Sequence, residues 1–213
     1  MLTRIVKGIV AGVTGYRAAR QRAWAGAAQD AGALRDAGLL AMRAGRLEEA
    51  VALLAEAVSL DVRDADLHKR LGDALRLSWR LEEAVRSYRE AIALDPGHVD
   101  ARNNLGVVLG ALGSRSEAIE CFLAALALAP GLAEAHINLG NSLREEGRFD
   151  AAISSYRDAL RAQPEHVLAY NNLAELYRDL GRFEEARECD DRILALAPND
   201  GTLIKRAISI PVV

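Results

Sequence analysis

Asn104, Asn138 and Asn172 stand 34 residues apart, and a carboxamide repeated at a fixed interval has a definite chemistry. Its oxygen accepts and its nitrogen donates, so one side chain can engage both the N–H and the C=O of an extended polypeptide. Asn103 and Asn171 precede two of the three, and Asn141 follows Asn138 by one helical turn. These six form a candidate reader of main chain, whatever side chains that main chain carries.

A second set is cationic. Arg76, Arg144 and Arg178 share another column, broken at Gly110, with Lys69, Arg70 and Arg35 enriching the N-terminal end. A guanidinium can grip a carboxylate through two parallel hydrogen bonds, so this set suits an acidic side chain or a terminal carboxylate. Asp73, Glu145, Glu175 and Asp179 occupy the same stretches. They could instead neutralise the arginines, and both readings stand.

Other reactive residue types lack the arrangement that chemistry needs. His68 and His136 share one column and His98 and His166 another, with no HxxxH or HExxH spacing. Metal binding is therefore not expected, and the histidines are read as turn caps or partly buried packing. Cys121 and Cys189 form no CxxC pair. Helices packed about 8–10 Å apart would hold their Cα atoms beyond the roughly 7 Å limit of a disulfide. No base and orienter are organised around any nucleophile and no glycine-rich phosphate loop follows a strand. Neither catalysis nor a cofactor is expected.

The elements that must position the asparagines follow from the same interval. Pro96, Pro130, Pro164 and Pro198 are 34 residues apart, as are Ala50, Ala84, Ala118, Ala152 and Ala186. Leu71, Leu105, Leu139 and Leu173 recur likewise, followed by Gly72, Gly106, Gly140 and Ala174, and Tyr88, Phe122 and Tyr156 continue the pattern. Five repeats fit without insertion: 31–64, 65–98, 99–132, 133–166 and 167–200. Each reads as two helices. His136, Leu139, Gly140 and Leu143 form one helical stripe, and Gly147 ends that first helix, A, in a left-handed cap; Gly45, Gly113 and Gly181 do the same elsewhere. Helix B opens on carboxylates, as in Leu47-Glu48-Glu49-Ala50, which suit the positive end of the helix dipole. The proline then stops it. In repeat three, Arg102, Leu105, Gly106 and Leu109 read as the buried stripe. Asp100, Asn103, Asn104, Val107, Gly110 and Ala111 fall on the opposite, open side. Trp79 stands where the other turns have glycine, which implies either a turn that bends differently or an exposed contact.

A 34-residue helix–turn–helix carrying Leu-Gly, then Ala, Tyr or Phe, Ala and Pro resembles the tetratricopeptide repeat family over 31–200. The resemblance implies an all-α fold, a right-handed α-solenoid with terminal capping segments, and a concave groove lined by the A helices. The terminal repeats depart from the pattern, with Ala37, Leu54 and Val62 in the first and Asp190 and Ile193 in the fifth. The asparagine column resembles that of O-linked N-acetylglucosamine transferases, where groove asparagines hold a peptide backbone. A short Ile-Lys-Arg-Ala…Pro-Val run near the end is similar to one in SPINDLY-type bacterial proteins. The two-carboxylate clamp that some family members use on chaperone tails is not expected. In its best register Asp73 takes an asparagine place and Glu134 a lysine place, and both would repel the ligand.

Composition narrows the partners. The chain of 213 residues is 51% apolar with a formal charge of −3, so no basic field exists for a phosphate backbone and nucleic acid is disfavoured. No apolar run approaches the ~20 residues that span a bilayer. Two cysteines in no paired motif point to a reducing, cytoplasmic setting. Residues 1–30 carry Arg4, Lys7, Arg17, Arg20 and Arg22 against Asp30, read as a capping helix or basic arm without stable membrane insertion. Residues 201–213 are read as the start of a capping helix and an apolar tail. The expected function is a non-catalytic scaffold that binds an extended peptide of a protein partner. Two alternatives remain: the substrate-recruiting region of a larger glycosyltransferase, and a self-assembling homo-oligomeric scaffold.

Overall fold

The computed structural model describes residues 30–197. The expectations for the basic arm, for Pro198 and for the 201–213 tail lie outside the described residues. Within them the chain forms ten α-helices and no strand. They are α1 Ala31–Arg43, α2 Leu47–Leu60, α3 Ala65–Leu77, α4 Leu81–Leu94, α5 Val99–Ala111, α6 Arg115–Leu128, α7 Ala133–Glu145, α8 Phe149–Ala162, α9 Val167–Asp179 and α10 Phe183–Leu196. Odd-numbered helices are the A helices and even-numbered ones the B helices. The all-α repeat fold expected from the periodicity is the fold observed.

Two compact units are present, one ending at Leu94 and the other beginning at Asp95. In the first, α1 packs on α2, α2 on α3 and α3 on α4, around Leu34, Leu54, Leu67 and Tyr88. In the second, α5 to α10 each pack on the next, and α7 also touches α5 and α9. Its largest fully buried side chains include Tyr156, Phe122, Leu176 and Ile193.

The repeated small residue and the repeated ring explain the pairing of A with B. A Cβ added at Gly106 would lie 2.6 Å from the Phe122 ring, and one at Gly140 would lie 2.5 Å from the Tyr156 ring. The missing methyl is what lets the ring seat against the helix backbone. In the first repeat Leu54 does this work, with its Cγ 2.8 Å from a Cβ built at Gly38.

The turns from A to B share one geometry. Each A helix ends in a Schellman motif, in which two backbone N–H groups reach back to the last turn. In α7, Gly147 N–H bonds Arg144 O at 2.9 Å and Arg148 N–H bonds Leu143 O at 2.9 Å. The residue at the bend must take positive φ, and Gly45, Gly113, Gly147 and Gly181 do so at 71–82°. Trp79 occupies the same bend at φ 58°, with Trp79 N–H on Arg76 O and Arg80 N–H on Leu75 O. The expectation of a differently bent turn is therefore corrected: the hydrogen bonds enforce the same left-handed bend on a tryptophan. The indole is 81% exposed. A side chain in this conformation costs roughly 1–2 kcal/mol, partly offset by glycine's greater unfolded-state entropy. Trp79→Gly is expected to stabilise by about 1 kcal/mol and to raise the melting temperature by about 2–4 °C. A calorimetric scan in which Trp79→Gly melts lower would contradict this.

Candidate functional site

The asparagines lie on A helices, but the structure does not leave them all open. Asn103 is 4% exposed, which corrects its placement on the open side of α5. The physical reason is that an A helix packs on its own B helix and also against the next A helix. Asn103 faces that second seam, where its Oδ1 accepts a 3.1 Å hydrogen bond from Asn138 Nδ2 on α7. One repeat on, Asn172 Nδ2 of α9 donates to Asn141 Oδ1 of α7 at 2.9 Å. Asn104, Asn138, Asn171 and Asn172 are half-buried and Asn141 is exposed. Leu105, Gly106 and Leu109 are buried as the stripe implied, joined by Ala101 and Val108.

A tyrosine that reads as core packing turns out to position this pair. The Tyr156 hydroxyl donates to Asn141 Oδ1 at 2.8 Å. Burial first, with Glu175 and Glu145 adding to it against Arg144, pushes the Tyr156 pKa up to about 12, so the phenol remains a neutral donor. In the first unit the Tyr88 hydroxyl donates likewise to Asp73 Oδ1 at 2.8 Å. The phenylalanine between them, Phe122, has Val107 at the corresponding place fifteen residues earlier. Hydroxyl and acceptor thus come and go together, a signal present in the sequence.

The cationic column divides. Arg144 pairs with Glu175 at 3.5 Å and with Asp179. Its partial burial favours the neutral form, but the hydrogen bond and charge of Asp179 outweigh that and raise its pKa. Arg178 Nη2 reaches both carboxylate oxygens of Asp190 at 2.6 Å. Asp190 stands at the ring position of the fifth repeat and is 7% exposed. In the first unit Arg70 pairs with Asp66 at 2.5 Å and Lys69 with Asp73 at 2.9 Å. Arg76 pairs with no carboxylate among the described residues; its guanidinium lies against the Tyr88 hydroxyl.

The remaining candidates are structural in their contacts. His68 Nε2 meets Val62 O at 3.1 Å and His136 Nε2 meets Pro130 O at 2.8 Å. Arg102, in the same column, donates from Nη2 to Pro96 O at 2.7 Å. This column closes the turn between repeats, and Arg102 does so with its head group rather than only packing its stem. Among the described residues no cluster of His, Cys, Asp or Glu could hold a metal ion. No helix among them is long and apolar enough to cross a membrane.

Neither cysteine is in a disulfide bond. Cys189 is buried, and that burial, with Asp190 and Glu188 nearby, pushes its thiol up to about 11. A thiol held protonated in the folded state favours folding less as pH rises above its ordinary value near 9. It also reacts only on opening. With Cys121→Ser, disulfide-exchange labelling at pH 8 is expected to be slow and to accelerate with urea. Labelling at the rate of an unprotected cysteine would contradict the burial.

Comparisons with known proteins follow this geometry. Tetratricopeptide repeat models match residues 137–201 and 98–165, and a TPR repeat model matches 80–113. No curated protein matches the sequence significantly. Among solved structures, YrrB, described as a TPR protein with an unusual peptide-binding site, is 25% identical with a TM-score of 0.66. The match covers 89% of this chain and 97% of YrrB. MamA residues 41 to the end from Desulfovibrio magneticus RS-1 match at 23% identity and TM-score 0.72, over 80% of this chain and 97% of that one. The pilF protein of Pseudomonas aeruginosa matches at 23% and 0.72, over 82% and 79%. The last two are likenesses of fold.

Proposed function

Because this chain belongs to the tetratricopeptide repeat family, we propose that it is a non-catalytic interaction scaffold that holds an extended segment of a protein partner. The observation that carries this is the asparagine pairing between consecutive A helices of the second unit. In the Asn141–Asn172 pair, Asn141 Oδ1 already accepts two hydrogen bonds. Its amide donors remain, and so does the oxygen of Asn172. One donor and one acceptor side by side match the C=O and N–H of a peptide. The internal bonds hold these groups in place beforehand, which lowers the cost of binding. A helices about 8–10 Å apart match roughly three residues of extended chain at about 3.3 Å each. One asparagine pair per repeat therefore stays in step with a strand-like ligand.

YrrB, the relative of near-full-length coverage, is described by a peptide-binding site, which supports the same reading here. A cytoplasmic setting is part of the proposal and rests on two cysteines that form no disulfide. Recruitment to a larger glycosyltransferase would use the same face, and no observation favours it over the plainer reading. The test is selection of peptides from a random display library on the purified chain, followed by titration against a variant of the asparagine column. Parental affinity in that variant would refute the proposal.

A further inference from the structure

We propose that the recess beside Leu168, at the turn from α8 to α9, takes one large apolar side chain of the bound polypeptide. The inference rests on the peptide-binding reading above and adds which side chain the ligand must carry.

Three observations meet in this part of the second unit. First, a recess of about 730 Å³ opens at the α8–α9 turn, with Ala162, Pro164, Val167 and Leu168 in its wall. Second, Leu168 stands in the first turn of α9 and is 54% exposed. At the equivalent place in the sequence α3, α5 and α7 carry Asp66, Asp100 and Glu134, which suit the positive end of a helix. The first turn of α9 has no acid, so it forgoes that stabilisation for a leucine that the fold leaves largely uncovered. Third, Leu168 precedes Asn171 and Asn172 by three and four residues, which puts all three on one face of α9.

This continuity with the Asn141–Asn172 pair assigns the recess to the bound peptide. Four residues of helix rise about 6 Å. A strand crossing α9 at Asn172 holds its side chains roughly perpendicular to its own direction, so one of them can point along α9 toward Leu168. Leucine, methionine or phenylalanine bridges a gap of that order, whereas alanine and serine fall short. Asp100 and Glu134 hold the same place on α5 and α7, where an apolar side chain would strip water from a carboxylate. The preference therefore falls on a single residue of the ligand, at the α9 rung, while the asparagines read main chain.

The test uses the full chain and peptides selected on it from a random display library. The selected peptides are expected to share one large apolar residue at a fixed place. Changing that residue to alanine should weaken binding to the parent about ten-fold or more. Leu168→Glu gives α9 the kind of residue that α7 has, so it should melt at or slightly above the parent temperature. It should bind the selected peptides about ten-fold or more weakly, and should not distinguish them from their alanine versions. Asn172→Ala should weaken the selected peptide and its alanine version by the same factor.

Selected peptides that share no large apolar residue, or that bind Leu168→Glu as they bind the parent, would overturn the inference. So would a Leu168→Glu variant that melts several degrees lower, because the leucine would then be covered within the protein. A concentration-dependent particle size that Leu168→Glu abolishes would assign the recess to a second copy of the chain and overturn it as well. If affinity still depends on the asparagine column in any of these cases, main-chain binding stands alone. If the column variant binds like the parent, the underlying reading fails separately. Enrichment of no peptide overturns both.

Discussion

Truncating Tyr156 to alanine is expected to destabilise the protein by about 3–5 kcal/mol, the usual cost of removing a large buried ring. Tyr156 is fully buried, and its ring occupies the space that Gly140 leaves vacant. The reciprocal change is informative. Gly140→Ala would place a methyl 2.5 Å from the ring, and overpacking of this kind costs about 1–3 kcal/mol. The fifth repeat indicates how the two are coupled. There the ring is absent, with Asp190 in its place, and the facing residue is Ala174, 1% exposed. A methyl is thus accommodated where no ring presses on it. In Gly140→Ala/Tyr156→Ala the alanine at 140 should therefore cost almost nothing beyond the ring's loss. The coupling in a double-mutant cycle should be about 1–3 kcal/mol, opposite in sign to the single cost. Chemical denaturation of the four proteins measures it. Additive single effects would show that ring and glycine do not constrain each other.

The second large effect concerns binding. Removing the asparagine column is expected to weaken a selected peptide by about ten-fold to a thousand-fold, since each lost backbone contact costs about 0.5–1.5 kcal/mol. The choice of variant follows from the contacts. Asn138→Ala alone would leave the buried Asn103 oxygen without its donor, at about 1–3 kcal/mol of stability. At this position the column cannot be truncated singly without cost to the fold. Removing both partners of a buried hydrogen bond is far less harmful than removing one. Asn103 and Asn138 should accordingly be replaced together. Asn172→Ala is milder, because Asn141 is exposed and keeps the Tyr156 hydroxyl. Selectivity among peptides with different side chains should change little, because the carboxamides read main chain.

Much of the fold was legible because it repeats. Proline, alanine, glycine and ring recur at one interval, and each is fixed by contacts within a single helix pair. The glycine–ring contacts and the left-handed bends are of this kind. The candidate site was legible in residue type but not in contact. A helical wheel of α5 alone places Asn103 away from the core, because the wheel contains no neighbouring repeat. The partners that bury or neutralise these side chains lie 35 residues away for Asn103, 31 for Asn141, and 31 and 35 for Arg144. Those offsets describe one A helix meeting the next. Read at them, the sequence does show an acid for Arg144 and an amide for Asn103. The tyrosine hydroxyls were hidden differently, since their rings explain them fully as packing. Only the alternation of Tyr88 with Asp73, Phe122 with Val107 and Tyr156 with Asn141 reveals a second task. The short run that is similar to SPINDLY-type proteins lies outside the described residues, and the family matches support the repeat alone.

The most direct measurement is a calorimetric titration of one library-selected peptide into the parent chain and into Asn103→Ala/Asn104→Ala/Asn138→Ala/Asn172→Ala. Melting curves of both proteins confirm that the variant is folded. Affinity lower by ten-fold or more in the folded variant is the predicted result. Parental affinity in that variant would contradict the account, and would make the asparagines a seam between helices with no part in binding.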